Sequence, residues 1–267
     1  MARYKKNLDE LLLVINGSEQ RLQVVLGAQR ETGTELIASQ EWTVPGESVR
    51  FIIPSIEQML QSLDVPVSNI KGIACTIGPG SFTGLRLVLA AAEGLAAAHN
   101  IPKAGLPYLE AIAAGPLEFT PYDLYAITHS RRGQVYVQGF SAEAEAAMTH
   151  PHPLKLEEVP QFISMSKDSE EFLVFGSGVR KYPDFFESLL ISGMKFSALP
   201  EHWDNPKPEL LLELAADLPY SHSPLEPMYL RGSDAEENLP QIAQKRGIEA
   251  SEAREMIHRP AEDSIVR

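Results

Sequence analysis

The chain has 267 residues with 36 acidic against 23 basic side chains, a formal net charge of −13. So acidic a surface repels phosphate backbones and argues against unaided nucleic-acid binding, since the densest basic spots, Arg131–Arg132 and Lys245–Arg246, are only pairs. A single cysteine, Cys75, excludes an internal disulfide and a thiolate zinc cluster and suits a reducing compartment. The apolar run Leu11–Ile15 is too short for a signal-peptide core, and no stretch approaches the roughly 18 apolar residues of a membrane-spanning helix. The expectation is a soluble, cytoplasmic protein that does not enter a membrane, with length for one large or two modest domains.

In chain order, residues 11–15, 21–27 and 35–44 are rich in β-branched side chains, separated by turn signals at Gly17, Gly27 and Gly33, and predict three consecutive antiparallel strands. Residues 47–63 place Val49, Ile52, Ile53, Ile56, Leu60 and Leu63 at helical spacing, with Pro54 predicting a kink or a late start. Residues 69–78 predict a buried strand and 82–99 a long helix. After Pro102 the pattern partly repeats, with strands at 124–130, 133–140 and 171–178 and a helix at 206–218. Residues 141–158 are polar and proline-bearing, which predicts a surface loop with a short strand. The organisation expected is a first lobe over 1–105, a smaller second lobe over 106–231, and a C-terminal helical extension with a mobile tail over 232–267.

The strand-to-helix turn "GPGSFTG" (78–84) has the look of a phosphate cradle. Its GxGxxxG spacing is one residue longer than the dinucleotide fingerprint, and Leu85 and Arg86 stand where a Walker loop needs lysine and a hydroxyl. The remaining candidates for anion or nucleotide contact are Gly78, Gly80, Ser81 and Thr83, with Ser81 or Thr83 capping the helix. On a helical wheel, Leu85, Val88, Leu89, Ala92, Leu95 and Ala96 form a large apolar face, and Thr83, Arg86, Ala90, Glu93 and Ala97 a mixed one. The third face, Gly84, Leu87, Ala91, Gly94 and Ala98, is neither polar nor bulky and admits a close helix neighbour. That neighbour is either the 47–63 helix of the same lobe or a helix of another chain, with Ile52, Ile56 and Met59 sharing the interface.

Residues 72–113 closely resemble the signature of the TsaB (YeaZ) family, and "RRGQVY" (131–136) and "PMYLRGSDAEEN" (227–238) are similar to its later segments. The resemblance implies the two-lobed α/β fold of the actin, Hsp70 and hexokinase group, with mixed sheets. It also implies a subunit that has lost catalysis and pairs through first-lobe helices with a metal-bearing TsaD-like subunit. A TsaE-like ATPase joins that assembly, tRNA is engaged only through it, ATP is a candidate at a subunit interface, and the product is N6-threonylcarbamoyladenosine at position 37 of tRNA. The chain departs from the family pattern at Asn16, Gly17 and Ser18, where Asp-Thr-Ser is usual; at Ser48, Val49 and Arg50, where His-Ser-Glu is frequent; and at His129, where Asp is common. Neutral Asn16 cannot supply the charge that organises magnesium in ATPases of this fold.

Intrinsic chemistry finds little support. The catalytic sister family binds metal through HxxxH, and no two of the seven histidines are four apart; His150 and His152 fall in the predicted loop. Cys75 lies mid-strand without an evident base, and no GxSxG elbow occurs. Asp234, Glu236 and Glu237 read as a solvated helix start, Trp42 and Trp203 as packing residues, and Arg131 and Arg132 as a water-exposed turn. Two rival functions stay open: an active kinase or ATP-binding enzyme of the same superfamily, and a regulatory homodimer of this chain alone.

Overall fold

A computed structural model describes residues 8–167, 170–231 and Glu249. The expected extension over 232–267 therefore lies outside the described residues, apart from Glu249. Two mixed sheets organise the chain up to Met228. The first has the order β3-β2-β1-β4-β5, with β1 Leu11–Asn16, β2 Arg21–Arg30, β3 Gly33–Thr43, β4 Ile70–Gly78 and β5 Lys103–Pro107. Its central β1 pairs antiparallel with β2 and parallel with β4. The second sheet has the order β11-β10-β6-β7-β8, with β6 Leu124–Arg131, β7 Gln134–Ser141, β8 Ala146–Ala147, β10 Phe172–Phe175 and β11 Phe196–Ala198, while β9 His152–Lys155 pairs with β7. Here β6 repeats the role of β1: antiparallel to β7, parallel to β10.

Alternation along β1 and β2 separates two cores, as the period of two in a strand requires. Leu13, Ile15, Val24 and Leu26 face helices α1 (Val49–Leu63) and α2 (Phe82–His99). Leu12, Val14 and Val25 face the other way, onto Ala111 of α3 (Tyr108–Leu117) and Leu211, Leu212 and Ala215 of α7 (Pro208–Ala216). The second sheet buries Tyr125, Ile127, Val135 and Val137 under α4 (Val159–Ser166) and under α5 (Ser177–Lys181) and α6 (Pro183–Ile191).

The strands and helices expected from periodicity are present, with two instructive differences. Pro54 sits inside α1 without ending it, and the helix begins before it at Val49. The helix expected over 206–218 packs on the first sheet although it follows the second lobe in the chain, and α3 touches both sheets. No helix among the described residues is long and apolar enough to cross a membrane.

Candidate functional site

Parallel pairing puts the carboxyl ends of β1 and β4 on one edge of the first sheet, and those of β6 and β10 on one edge of the second. The segments that follow β1 and β10 meet each other, which makes this crevice the natural site to inspect in a fold of this kind. Asn16, at the end of β1, is buried and makes three side-chain hydrogen bonds. Its Nδ2 donates to Gln23 Oε1 at 2.7 Å, and its Oδ1 accepts from Thr76 Oγ1 at 3.1 Å and from Ser18 N at 3.2 Å. Gln23 Nε2 in turn donates to Pro206 O at 2.8 Å. A neutral amide engaged in this way ties strands together and has no negative charge for a divalent cation.

Gly78, Gly80, Ser81 and Thr83 come together at the predicted turn, but two of them serve the chain itself. Ser81 N donates to Ser18 O at 2.7 Å, and Ser81 Oγ caps α2 by accepting from Gly84 N at 3.3 Å. A Cβ on Gly80 would lie 2.3 Å from Ser18 O, and one on Gly84 would lie 2.4 Å from Gly17 O. The glycines therefore let the β1 loop press onto the turn; Thr83 points to solvent.

The expected partner surface divides. Ile52, Ile56 and Met59 are 2–4% exposed and belong to the chain's own core, so their assignment to a partner interface is corrected: the strongest apolar stripe of α1 covers its own sheet. Gly84 is likewise consumed by the close approach to Gly17. Leu87 and Ala91 are half-buried against the first core. Gly94 and Ala98 are exposed, and a Cβ on Gly94 would meet nothing within 4 Å. Val49 and Ile53, four apart on the outer side of α1, are 58% and 43% exposed. Of the departures from the resembling pattern, Ser48 is buried ahead of α1, Arg50 pairs with Glu47 at 2.7 Å, and the His129 ring lies 6.0 Å from that of Tyr182.

Sequence reasoning missed a polar group in the crevice. Glu19 lies between Tyr108, at the start of α3, and Ser177, at the start of α5, both hydrogen-bonded to its carboxyl. Burial pushes the Glu19 pKa up to about 7, with Asp204 adding to the rise and the two hydroxyls opposing it. Tyr108 is driven well above its ordinary range by burial and then by Glu19. Nothing local in the sequence links Glu19 to a residue 158 positions away. Cys75 is buried, and desolvation raises its pKa to about 12, which leaves it a thiol. Trp42 rests on Phe51 and donates to Ser55 Oγ at 3.2 Å, a packing role. Arg131 is half-buried and donates to Gln134, and Arg132 is exposed.

Two sheets of the same topology, with the crevice at their strand ends, define a two-lobed α/β protein of the actin, Hsp70 and hexokinase class. A model of the family described as "TsaD: tRNA N6-adenosine threonylcarbamoyltransferase" matches residues 44–220, more than half of the chain. The chain belongs to this family, in its TsaB (YeaZ) branch. It is 28% identical over 200 residues to the tRNA threonylcarbamoyladenosine biosynthesis protein TsaB of Escherichia coli, covering 73% of this chain and 86% of that one. The Bacillus subtilis TsaB is 27% identical over 231 residues, with coverages of 84% and 96%. A solved YeaZ structure from Pseudomonas aeruginosa shares the fold with a TM-score of 0.61 at 21% identity, covering 91% of this chain and 97% of that one.

Proposed function

We propose that this chain acts in the biosynthesis of N6-threonylcarbamoyladenosine in tRNA as a non-catalytic scaffold that pairs with a TsaD-like catalytic subunit. The observation that carries the reading is the open, small-residue flank of α2 at Gly94 and Ala98, continued by half-buried Leu87 and Ala91. A flank without bulk or charge is what a closely packed partner helix requires. The outer residues of α1, Val49 and Ile53, supply apolar area where Ile52, Ile56 and Met59 do not. The buried, hydrogen-bonded and uncharged Asn16 amide supports a subunit without its own ATP hydrolysis, with any ATP held at a subunit interface. The acidic surface supports contact with tRNA only through the assembly, in which a TsaE-like ATPase also takes part.

Co-expression with the TsaD homologue of the same genome tests the reading. The two chains are expected to co-purify, and Ala98→Arg is expected to abolish co-purification with the melting temperature of the single chain unchanged. A folded, monodisperse chain that ignores the homologue overturns it. Self-association through the same flank, seen by light scattering and lost in Ala98→Arg, instead identifies a homodimer.

A further inference from the structure

Glu19 joins three parts of the chain that are remote in sequence. Tyr108 Oη donates to Glu19 Oε2 at 3.0 Å, from the helix that lies between the lobes. Ser177 Oγ is hydrogen-bonded to Glu19 Oε1 from the second lobe, and it also accepts from His129 N at 2.8 Å, which fixes it to the end of β6. With one lone pair taken by His129, the Ser177 hydroxyl still has a proton to give to a carboxylate and a lone pair to accept from a neutral carboxyl. Both charge states of Glu19 can therefore be bonded here, but they are not equal in energy.

The surrounding charges decide between them. Asp204 adds negative charge, and its own oxygens are taken by Arg180 at 2.9 and 3.1 Å and by Gly176 N at 2.8 Å. Arg21, on β2, acts on Tyr108 and is paired with Glu41 at 3.2 Å. The His129 ring lies 6.0 Å from that of Tyr182, and its backbone N–H donates to Ser177 Oγ at the crevice. An ionised Glu19, half-buried here, is partly desolvated and repelled by Asp204, against two hydroxyl donors; a neutral Glu19 keeps both contacts with less penalty.

We propose that Glu19 is a protonation-dependent pin between the lobes: neutral, it holds the crevice closed through Tyr108 and Ser177, and ionised, it loosens it. Its pKa of about 7 puts the change in the neutral range. Because the value in the fold lies above the ordinary 4.5, the folded chain binds the extra proton. The stabilising contribution is complete below about pH 4.5 and is lost as pH rises through about 7. The pin also bears on α2, because the neighbouring Ser18 carbonyl accepts the Ser81 amide at its start.

The test is amide hydrogen exchange at His129, followed by NMR on the full chain between about pH 5.5 and 8.5 and corrected for intrinsic exchange. Wild type is expected to lose protection by roughly tenfold across a midpoint near neutrality. Glu19→Gln, which keeps the shape and cannot ionise, is expected to give a flat profile. Tyr108→Phe removes a donor to the anion, so its midpoint is expected to rise. A flat wild-type profile, a Glu19→Gln profile that still titrates, or a Tyr108→Phe midpoint that fails to rise overturns the proposal.

Discussion

Helices α1 and α2 cover the same face of the first sheet with opposite distributions of side chain. α1 turns Ile52, Ile56, Met59 and Leu60 inward and carries Arg50, Glu57, Gln58 and Gln61 on its outer side, interrupted by Val49 and Ile53. α2 buries Leu85, Val88, Leu89, Ala92 and Ala96 and still has Ala90, Gly94, Ala97 and Ala98 facing outward. The lesson is that the strongest apolar stripe of a helix marks its own core. A partner surface has to be sought in what remains after that stripe is spent, and between Ala90 and Ala98 of α2 the exposed residues that remain are small rather than polar, with Thr83 and Arg86 confined to its first turns.

The largest effect that would break this comparison is at Ile56. Ile56→Ala empties a site that is 4% exposed and is expected to destabilise the chain by about 2–5 kcal/mol in denaturant unfolding. A near-neutral result would return Ile56 to the partner surface. A smaller effect separates the two glycines of α2. Gly84→Ala places a Cβ 2.4 Å from the Gly17 carbonyl oxygen, and backbone cannot yield easily, so a loss of about 1–3 kcal/mol is expected despite the better helix propensity of alanine. The smallest effect has the opposite sign. Gly94→Ala meets open space, so the single chain should gain about 0.5–1 kcal/mol, readable as a rise in melting temperature.

The two ends of the crevice differ in how much of them could be read in advance. The turn after β4 announces itself through Gly78, Gly80 and Gly84, and the Ser81 cap follows from residue type and position. What those glycines face is not local information: Gly80 and Gly84 are set by the carbonyls of Ser18 and Gly17, which arrive from another strand. Glu19 gives no signal at all, because its meaning comes from Tyr108 and Ser177, placed by β5 and β10. Likewise, the short strand β5 and the helices α3, α4 and α6 lack both the bulky apolar and β-branched runs that made β1 and β2 readable and the long helical period of α2.

The amino-acid order alone determined the short apolar, β-branched runs of β1 and β2, the helical period of α1 and α2 and the repeated strand–helix pattern, because these are written into neighbouring residues. It also determined the family, through the dense block over 72–113. Only the tertiary structure decided which apolar stripe of α1 is inside, which glycines are consumed by backbone approach, and that α7 folds back on the first sheet. These depend on contacts between segments far apart in the chain, and no local period encodes which distant surface a face will meet.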